Sequence, residues 1–314
     1  MKISVCSPIM NEQECIREFY SRLKIELENV DWELILVDDG STDNTVNIVQ
    51  EICRTDPRVK FIELARNHGK SKAATTAFLY SSGDYIVYMD TDLQDPVGRI
   101  LEFCDILKSG YNVVYGIRKE RNDKFITKIQ SKIFWFILNK YTNLSIPVGL
   151  SVMRGFDKSF KNRLLSLKEH NRFLEGLFFI TSGNMTTLEI EHHHRFAGES
   201  KYNFKKKIEL AANAIFDFSD RPLIWAVKLG IILLSFSMIY FILILSLVFL
   251  GYPIAQGWIS IIGILTFFSG LQVLLIGGVG LYVGKSYLET KKRPNVSISK
   301  VFNLDGKLRD IRHE

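Results

Sequence analysis

Residues 85–92 read Tyr85-Ile86-Val87-Tyr88-Met89-Asp90-Thr91-Asp92, an apolar run that ends in two aspartates one residue apart. A short apolar run of this kind predicts a buried β-strand over 85–89. The two carboxylates then leave the strand together, at the edge of a sheet. The rest of the first 118 residues follows the same pattern.

Strands and amphipathic helices alternate along the N-terminal part of the chain. Apolar runs predict strands over 3–6, 33–37, 59–64, 85–89 and 112–115. Apolar residues at helical spacing predict helices over 15–27, 44–53, 71–80 and 97–107. Such alternation predicts an α/β domain with a mostly parallel sheet and helices on both faces.

Polar segments follow the predicted strands, at 8–12, 38–41, 66–70, 90–92 and 116–118. Ligands of such sheets bind beyond the carboxyl ends of the strands, so we expect these segments to converge on one edge. No GxGxxG follows the first strand, and Gly69-Lys70-Ser71 lacks the P-loop glycine at position 64. A dehydrogenase and a P-loop NTPase are therefore disfavoured.

Asp90 and Asp92 predict a divalent metal site. Two uncompensated carboxylates at a strand end repel each other, and a cation removes that repulsion. Hard oxygen ligands suit Mg²⁺ or Mn²⁺ that bridges a nucleotide diphosphate. A solvated turn is the alternative, but a second acidic turn, Asp38-Asp39, follows another strand and favours a site.

A long uncharged segment predicts membrane insertion. Residues 229–284, 56 in a row, contain no Asp, Glu, Lys, Arg or His. One crossing needs about 20 apolar residues, so we expect two transmembrane helices, near 227–250 and 258–283. Basic residues flank the pair while its connecting loop is uncharged, which places both termini in the cytoplasm.

The expected organisation is a cytoplasmic catalytic domain over 1–203, an amphipathic juxtamembrane segment over 204–226, two membrane helices within 227–284 and a basic tail over 285–314.

The four cysteines are scattered singly and indicate buried thiols in a reducing compartment. The net charge of +6 does not choose a partner by itself. A basic tail beside a membrane favours anionic lipid over nucleic acid. Consecutive residues of a strand point to opposite faces, so His192-His193-His194 is disfavoured as a metal site.

Six motifs together resemble the family-2 glycosyltransferases of GT-A fold, and within them the dolichyl- or undecaprenyl-phosphate sugar transferases. The resemblance covers nearly the whole chain. Its motifs are Pro8…Asn11-Glu12, residues 37–43 (VDDGSTD), 66–70 (RNHGK), 89–96 (MDTDLQDP), 115–118 (YGIR) and 195–202 (RFAGESKY).

The resemblance implies roles for these residues. Nucleotide contacts would come from Pro8, Asn11, Glu12, Asp38, Asp39, Ser41, Lys70 and Asp90. Asp90, Asp92 and Gln94 would hold the metal. The acceptor phosphate would be bound by Arg118, Lys128, Lys132, Arg195, Ser200, Lys201 and Tyr202. Asp90, Asp92, Arg118 and Arg195 would form the catalytic set, and relatives suggest a homo-oligomer, with a tetramer as one form.

One segment departs from the family pattern. Many relatives have Gly-Asp-Phe-Arg-Leu where this chain reads Gly149-Leu150-Ser151-Val152-Met153. A phosphate monoester has a second pKa of about 6 and is largely ionised at pH 7, so this nucleophile needs little help from a general base. We therefore expect activity to be retained, with a changed acceptor or sugar pocket.

The expected reaction is the inverting transfer of a hexosyl group from a nucleotide sugar to undecaprenyl phosphate at the inner or plasma membrane. Family frequency favours UDP-glucose, with UDP-GlcNAc, UDP-galactose and GDP-mannose as alternatives. A processive polysaccharide synthase needs a channel and usually a Gln-x-x-Arg-Trp motif, which is missing here. A non-catalytic relative that binds lipid or a flippase is a further alternative, suggested by Leu150 and Val152.

Overall fold

The computed structural model describes residues 1–118, 147, 149–169, 173–191, 221–250, 257–291 and 294–304. The chain divides into two compact units. The first, called here the α/β unit, comprises Met1–Glu209 together with Lys292–Glu314, and the second is Leu210–Lys291.

The α/β unit alternates strands and helices over its first 118 residues. Its strands are β1 (Lys2–Ile9), β2 (Asp31–Asp38), β3 (Val59–Leu64), β4 (Tyr85–Tyr88), β5 (Val113–Arg118), β6 (Leu150–Asp157), β7 (Met185–Ile190) and β8 (Ile298–Phe302). Its helices are α1 (Ile16–Glu26), α2 (Thr45–Thr55), α3 (Lys70–Tyr80), α4 (Ile100–Lys108), α5 (Lys158–Ser166) and α6 (Leu174–Thr181). Each strand and helix predicted for this region is present, with ends shifted by at most a few residues.

The strands form one eight-stranded sheet in the order β7-β5-β6-β4-β1-β2-β3-β8. β1 pairs in parallel with β2 and β4, and β2 pairs in parallel with β3. β6 runs antiparallel between β4 and β5, and β8 runs antiparallel along β3. The predicted α/β class is confirmed, but the sheet is mixed rather than mostly parallel, because β6 and β8 pair antiparallel with their neighbours. Because β6 reverses direction between them, β4 and β5 still point the same way and end at the same edge.

Helices cover both faces of the sheet because the central strands are apolar on both sides. One face carries Phe19 of α1, Val49 of α2 and Phe103 of α4 in a single core cluster. On the other face the ring of Phe78 from α3 lies 5.2 Å from Phe156 of β6. Burial of one such side chain contributes about 1.5–3 kcal/mol. The four cysteines are buried and free, as the sequence predicts.

The tail adds a strand that the sequence analysis did not predict. Strand β8 pairs Phe302 with Phe61 of β3, and the two rings stack 5.8 Å apart. Just beyond it Asn303 adopts φ 56°, and its side-chain amide donates to the carbonyls of Cys53 (2.7 Å) and Val59 (2.9 Å). The tail therefore closes the β3 edge of the sheet.

The second unit contains two long helices, α7 (Arg221–Phe249) and α8 (Trp258–Thr290). Among its described residues, one segment, Phe267–Thr290 of α8, is long and apolar enough to cross a membrane. Leu223–Leu233 of α7 is a shorter apolar stretch. Two spans were predicted, and this finding supports one of them. The predicted juxtamembrane segment lies mostly outside the described residues.

A buried carboxylate joins the amino-terminal ends of β1, β2 and β3 to the loop before β4. Glu33 of β2 is 1% exposed and accepts hydrogen bonds from Ser4 Oγ (2.6 Å), Ser82 N (2.6 Å) and Lys60 Nζ (2.8 Å). Lys2 Nζ lies 3.0 Å from the same carboxylate. Burial by itself raises the pKa of Glu33, but the hydrogen bonds from Lys60, Ser4, Ser82 and Lys2 outweigh it and lower the pKa to about 2.

We predict that Glu33→Gln destabilises the α/β unit in a pH-dependent way. A carboxylate with a depressed folded-state pKa stabilises the fold above its unfolded pKa of 4.5, and that stability is lost as pH falls toward about 2. The shift corresponds to about 3 kcal/mol, or a Tm lowered by roughly 6–12 °C at pH 7. Thermal unfolding of the purified full-length protein from pH 3 to 7 measures this. The gap between wild type and variant should narrow below pH 4.5, and a constant gap contradicts the assignment.

We also predict that Asn303 anchors β8 through both its side chain and its backbone conformation. Asn303→Gly keeps the positive φ but loses the amide hydrogen bonds, at about 1 kcal/mol each. Asn303→Ala loses the same bonds and adds about 1–2 kcal/mol of backbone strain. Hydrogen–deuterium exchange of the β3 and β8 peptides should rise in the order wild type, Gly variant, Ala variant. Equal exchange in all three contradicts the anchoring role.

Candidate active site

Loops after β1, β2 and β3 are hydrogen-bonded into one loop cluster, formed by residues 9–13, 38–45 and 66–70. Asn11 N donates to Ser41 Oγ at 2.9 Å, and Thr42 N donates to Asn11 Oδ1 at 2.8 Å. Glu12 N donates to Thr45 Oγ1 at 2.8 Å. Asn11 adopts φ 53°, which asparagine tolerates better than most residues. Pro8 is buried at the end of β1, opposite Val37.

The first aspartate of the acidic turn shapes its own loop. Asp38 Oδ2 accepts from the amides of Gly40 (3.1 Å) and Ser41 (3.0 Å), and Asp38 Oδ1 accepts from the hydroxyl of Ser41. Gly40 has φ +82°, and a Cβ on it would lie 2.9 Å from the backbone nitrogen of Asn67. This turn therefore requires glycine, and it packs directly on the loop that follows β3.

The second aspartate fastens that neighbouring loop. Asp39 Oδ1 accepts from His68 N at 2.6 Å, and Asp39 Oδ2 accepts from Gly69 N at 2.9 Å. Burial raises the pKa of Asp39, and the two backbone hydrogen bonds oppose that rise without cancelling it. Nucleotide contact by both aspartates stays a prediction, and the structure shows that each of them organises the loop cluster.

The loop held by Asp39 leads directly to the Asp-x-Asp motif. Lys70, the first residue of α3, places Nζ 2.6 Å from Oδ2 of Asp90. Asp92 is buried, and its Oδ1 accepts from Gln94 N at 3.2 Å. Leu93 between them adopts φ 60°, so the chain turns sharply after the second aspartate. The residues predicted to contact the nucleotide and those predicted to hold the metal thus lie at the same edge of the sheet.

The aspartate pair fits a divalent cation. The ammonium of Lys70 lies 2.6 Å from Asp90 and compensates its charge, so the two carboxylates are not both uncompensated as the sequence argument assumed. Within the described parts of the chain, no group of three or more His, Cys, Asp or Glu residues forms a metal cluster. Mg²⁺ is commonly held by one or two carboxylates, with waters and substrate phosphates completing its shell. Two aspartates therefore suffice for a metal that arrives with a diphosphate.

Arg118 reaches the same edge from the end of β5. Its Nη2 lies 3.6 Å from Oδ1 of Asp95, which is 3% exposed. The other oxygen of Asp95 accepts from Met153 N at 3.2 Å and from the hydroxyl of Ser151. Ser151 belongs to the segment that departs from the family pattern, and it supplies a polar partner for Asp95. Asp95 was not among the predicted site residues. It is part of the quoted motif Asp-Leu-Gln-Asp-Pro, which could have identified it.

Several predicted site residues lie outside the described part of the chain. These are Lys128, Lys132, Arg195, Ser200, Lys201 and Tyr202, and the His192-His193-His194 segment lies there too. The described site comprises the loop cluster, Lys70, the turn from Asp90 to Asp95, and Arg118.

The chain is similar to known glycosyltransferases over most of its length. A profile of "Glycosyl transferase family 2" matches residues 4–165. An "uncharacterized glycosyltransferase YkcC" of Bacillus subtilis is 35% identical over 310 residues, covering 98% of this chain and 96% of that protein. A "prophage bactoprenol glucosyl transferase homolog" of Escherichia coli is 31% identical, covering 96% of this chain and 99% of that protein.

Similarity to solved structures is weaker. The crystal structure of glucosyl-3-phosphoglycerate synthase from Mycobacterium tuberculosis with phosphoglyceric acid aligns with a TM-score of 0.49 at 19% identity, over 68% of this chain and 78% of that one. The family profile covers more than half of the chain, and the relatives share nearly its full length. The chain belongs to glycosyl transferase family 2.

Proposed function

We propose that this protein transfers a hexosyl group from UDP-glucose to a polyprenyl phosphate, undecaprenyl phosphate in bacteria, with inversion at the anomeric carbon. The observation that carries the proposal is a chain of two hydrogen-bonded contacts that links the loop cluster to the Asp-x-Asp motif. Asp39 binds the amide of Gly69, and the next residue, Lys70, binds Asp90. Relatives named bactoprenol glucosyl transferase, 31–32% identical over at least 95% of this chain, support the lipid acceptor and the glucosyl donor.

The nucleotide of the donor binds in the loop cluster. Asn11, Glu12 and Ser41 of the cluster contact the nucleotide together with Pro8, which lies just before the cluster in β1. Asp38 and Asp39 hold the loops of the cluster in place. Lys70 adds a positive charge beside Asp90, where the diphosphate lies. Asp90, Asp92 and Gln94 would hold Mg²⁺ or Mn²⁺, which when bound neutralises the charge that develops on the leaving diphosphate.

The acceptor phosphate is the nucleophile. Its oxygen attacks the anomeric carbon from the side opposite the nucleotide, the bond from that carbon to the diphosphate oxygen breaks, and nucleoside diphosphate leaves. The phosphate is already largely ionised at pH 7, so Leu150 in place of an acidic residue does not remove a needed proton acceptor. Arg118, with Lys128, Lys132, Arg195, Ser200, Lys201 and Tyr202, would hold this phosphate in line.

The lipid acceptor explains why the chain carries long apolar helices. We infer that α7 and α8 both span the plasma membrane, with the α/β unit and both termini on the cytoplasmic side, where nucleotide sugars are made. Support comes from the apolar segment Phe267–Thr290 and from the uncharged run of residues 229–284 flanked by basic residues. We also propose that the protein forms a homo-oligomer, such as a tetramer.

We predict that the purified full-length protein with Mn²⁺, radiolabelled UDP-glucose and undecaprenyl phosphate forms a labelled glycolipid. Parallel reactions with UDP-GlcNAc, UDP-galactose and GDP-mannose test the choice of donor. Thin-layer chromatography of the lipid fraction measures the product. A folded preparation that yields no glycolipid from any of the four donors contradicts the proposed reaction.

We further predict that Asp92→Asn abolishes metal-dependent donor binding. Loss of a supporting group around a metal typically costs 10–100-fold, so loss of a ligand should lower transfer by at least about 100-fold. Calorimetry should show UDP binding that responds to Mn²⁺ in the wild type and not in the variant. Asp105→Asn is the matched control, because Asp105 is exposed on α4 and pairs with Lys108 on the surface. Unchanged Mn²⁺ dependence in Asp92→Asn would overturn the metal assignment.

A further inference from the structure

A buried arginine lies behind the Asp-x-Asp turn. Arg154 of β6 is 2% exposed and is the register partner of Tyr88 in β4, two residues before Asp90. Burial of a guanidinium costs several kcal/mol unless its charge and its five donors find partners. The groups around Arg154 therefore indicate its role.

Three aromatic rings surround this guanidinium. Its central carbon lies 4.8 Å from the ring of Phe178, 5.6 Å from Tyr88 and 5.9 Å from Tyr115. The faces of aromatic rings attract a cation, so this aromatic cage stabilises the charge in a fixed orientation. Arg154 Nε donates to the carbonyl of Val152 at 3.1 Å, which fixes the side chain further.

Part of the guanidinium makes no hydrogen bond to any described residue. Among the residues that the structure describes, Nη1 of Arg154 has no hydrogen-bond partner. Nη2 lies 3.8 Å from Oε1 of Glu175, close enough for charge attraction but longer than a hydrogen bond. Glu175 stands in the first turn of α6, and its side chain is 37% exposed. The pair thus has a buried, rigid half and a half that reaches solvent.

The pair lies next to the proposed donor site. The ring of Tyr88 packs 5.4 Å from Phe78 of α3, the helix whose first residue is Lys70. Arg154 covers the same Tyr88 ring, and Asp90 follows it in the chain. In a strand, residues 150, 152 and 154 share one face, so Arg154 restores a charge to the face on which Leu150 and Val152 are apolar.

The charges of the pair identify its ligand class. An exposed carboxylate repels a phosphate, which argues against the anionic acceptor and against the diphosphate. It accepts two hydrogen bonds readily, and two neighbouring hydroxyl groups of a sugar supply such donors. Since the guanidinium balances its charge, the pair suits a neutral ligand rich in hydroxyl groups.

We propose that Glu175, oriented by Arg154, binds hydroxyl groups of the donor hexosyl group and so determines which sugar is transferred. This inference rests on the proposed function. Glu175 is the residue that contacts the sugar, and Arg154 is a positioning residue that acts through it. The leaving nucleotide is bound elsewhere, by the loop cluster and the aspartates.

Binding measurements with and without the sugar test this directly. In the presence of Mn²⁺, Glu175→Gln should weaken UDP-glucose binding by about 10- to 100-fold, the effect of losing hydrogen bonds to a charged group. Binding of UDP, which lacks the hexosyl group, should stay within about twofold of wild type, because UDP makes no hydrogen bond to Glu175. Glu28→Gln is the matched control, since Glu28 is exposed at the end of α1, away from the carboxyl edge of the strands. Equal effects on UDP and UDP-glucose, or no effect on either, overturn the inference.

Variants of Arg154 separate positioning from folding. Arg154→Met fits the aromatic surroundings, and it should reproduce the selective loss of UDP-glucose binding while the Tm is kept. The kcat/KM ratios among UDP-glucose, UDP-galactose and UDP-GlcNAc should also converge in Glu175→Gln. If the wild type transfers no sugar, the proposed function fails. If the wild type is active and Glu175→Gln keeps both its UDP-glucose affinity and its donor preference, only this inference fails.

Discussion

The backbone amides of His68 and Gly69 donate to the carboxylate of Asp39, and the rest of the site depends on this contact. It fixes where α3 begins, and therefore where Lys70 projects. Lys70 then meets Asp90, which follows a different strand. A carboxylate so deeply placed needs such donors, because an unpaired charge at the end of a buried strand would be too costly. One residue thereby couples the loops after β2, β3 and β4.

The antiparallel strand β6 assembles the other half of the site. It lies between β4 and β5, and successive residues along it serve opposite faces of the sheet. Ser151 and Met153 engage Asp95 on one face, and through Asp95 they hold Arg118 in place. Arg154 faces the other way, against Tyr88 and Phe178. The segment that departs from the family motif therefore still makes polar contacts, through Ser151 and Met153, with Asp95.

Much of the α/β unit was predictable because its signals are local. Apolar runs such as 59–64 and the amphipathic spacing of 44–53 are set by burial on one strand or one helix face, and the structure has a strand over Val59–Leu64 and a helix over Thr45–Thr55. The expectation that polar residues after these strands converge followed from parallel pairing alone. In contrast, β8 is a short segment, Ile298–Phe302, that includes Ser299 and Lys300. Its pairing depends on an edge of β3 about 240 residues earlier in the chain. Sequence patterns carry little information about such distant pairing.

The amino-acid sequence by itself determined the α/β class, the polar edge, the aspartate pair and the long uncharged segment, since each depends on residues close together in the chain. Only the tertiary structure decided that the carboxylates of Asp38 and Asp39 hold the loops after β2 and β3. It also decided that Asp95 pairs with Arg118, and that Arg154 lies among aromatic rings beside Glu175. Those partners come from separate strands and helices, and a side chain's charge acquires its role from whichever groups share its low-dielectric surroundings.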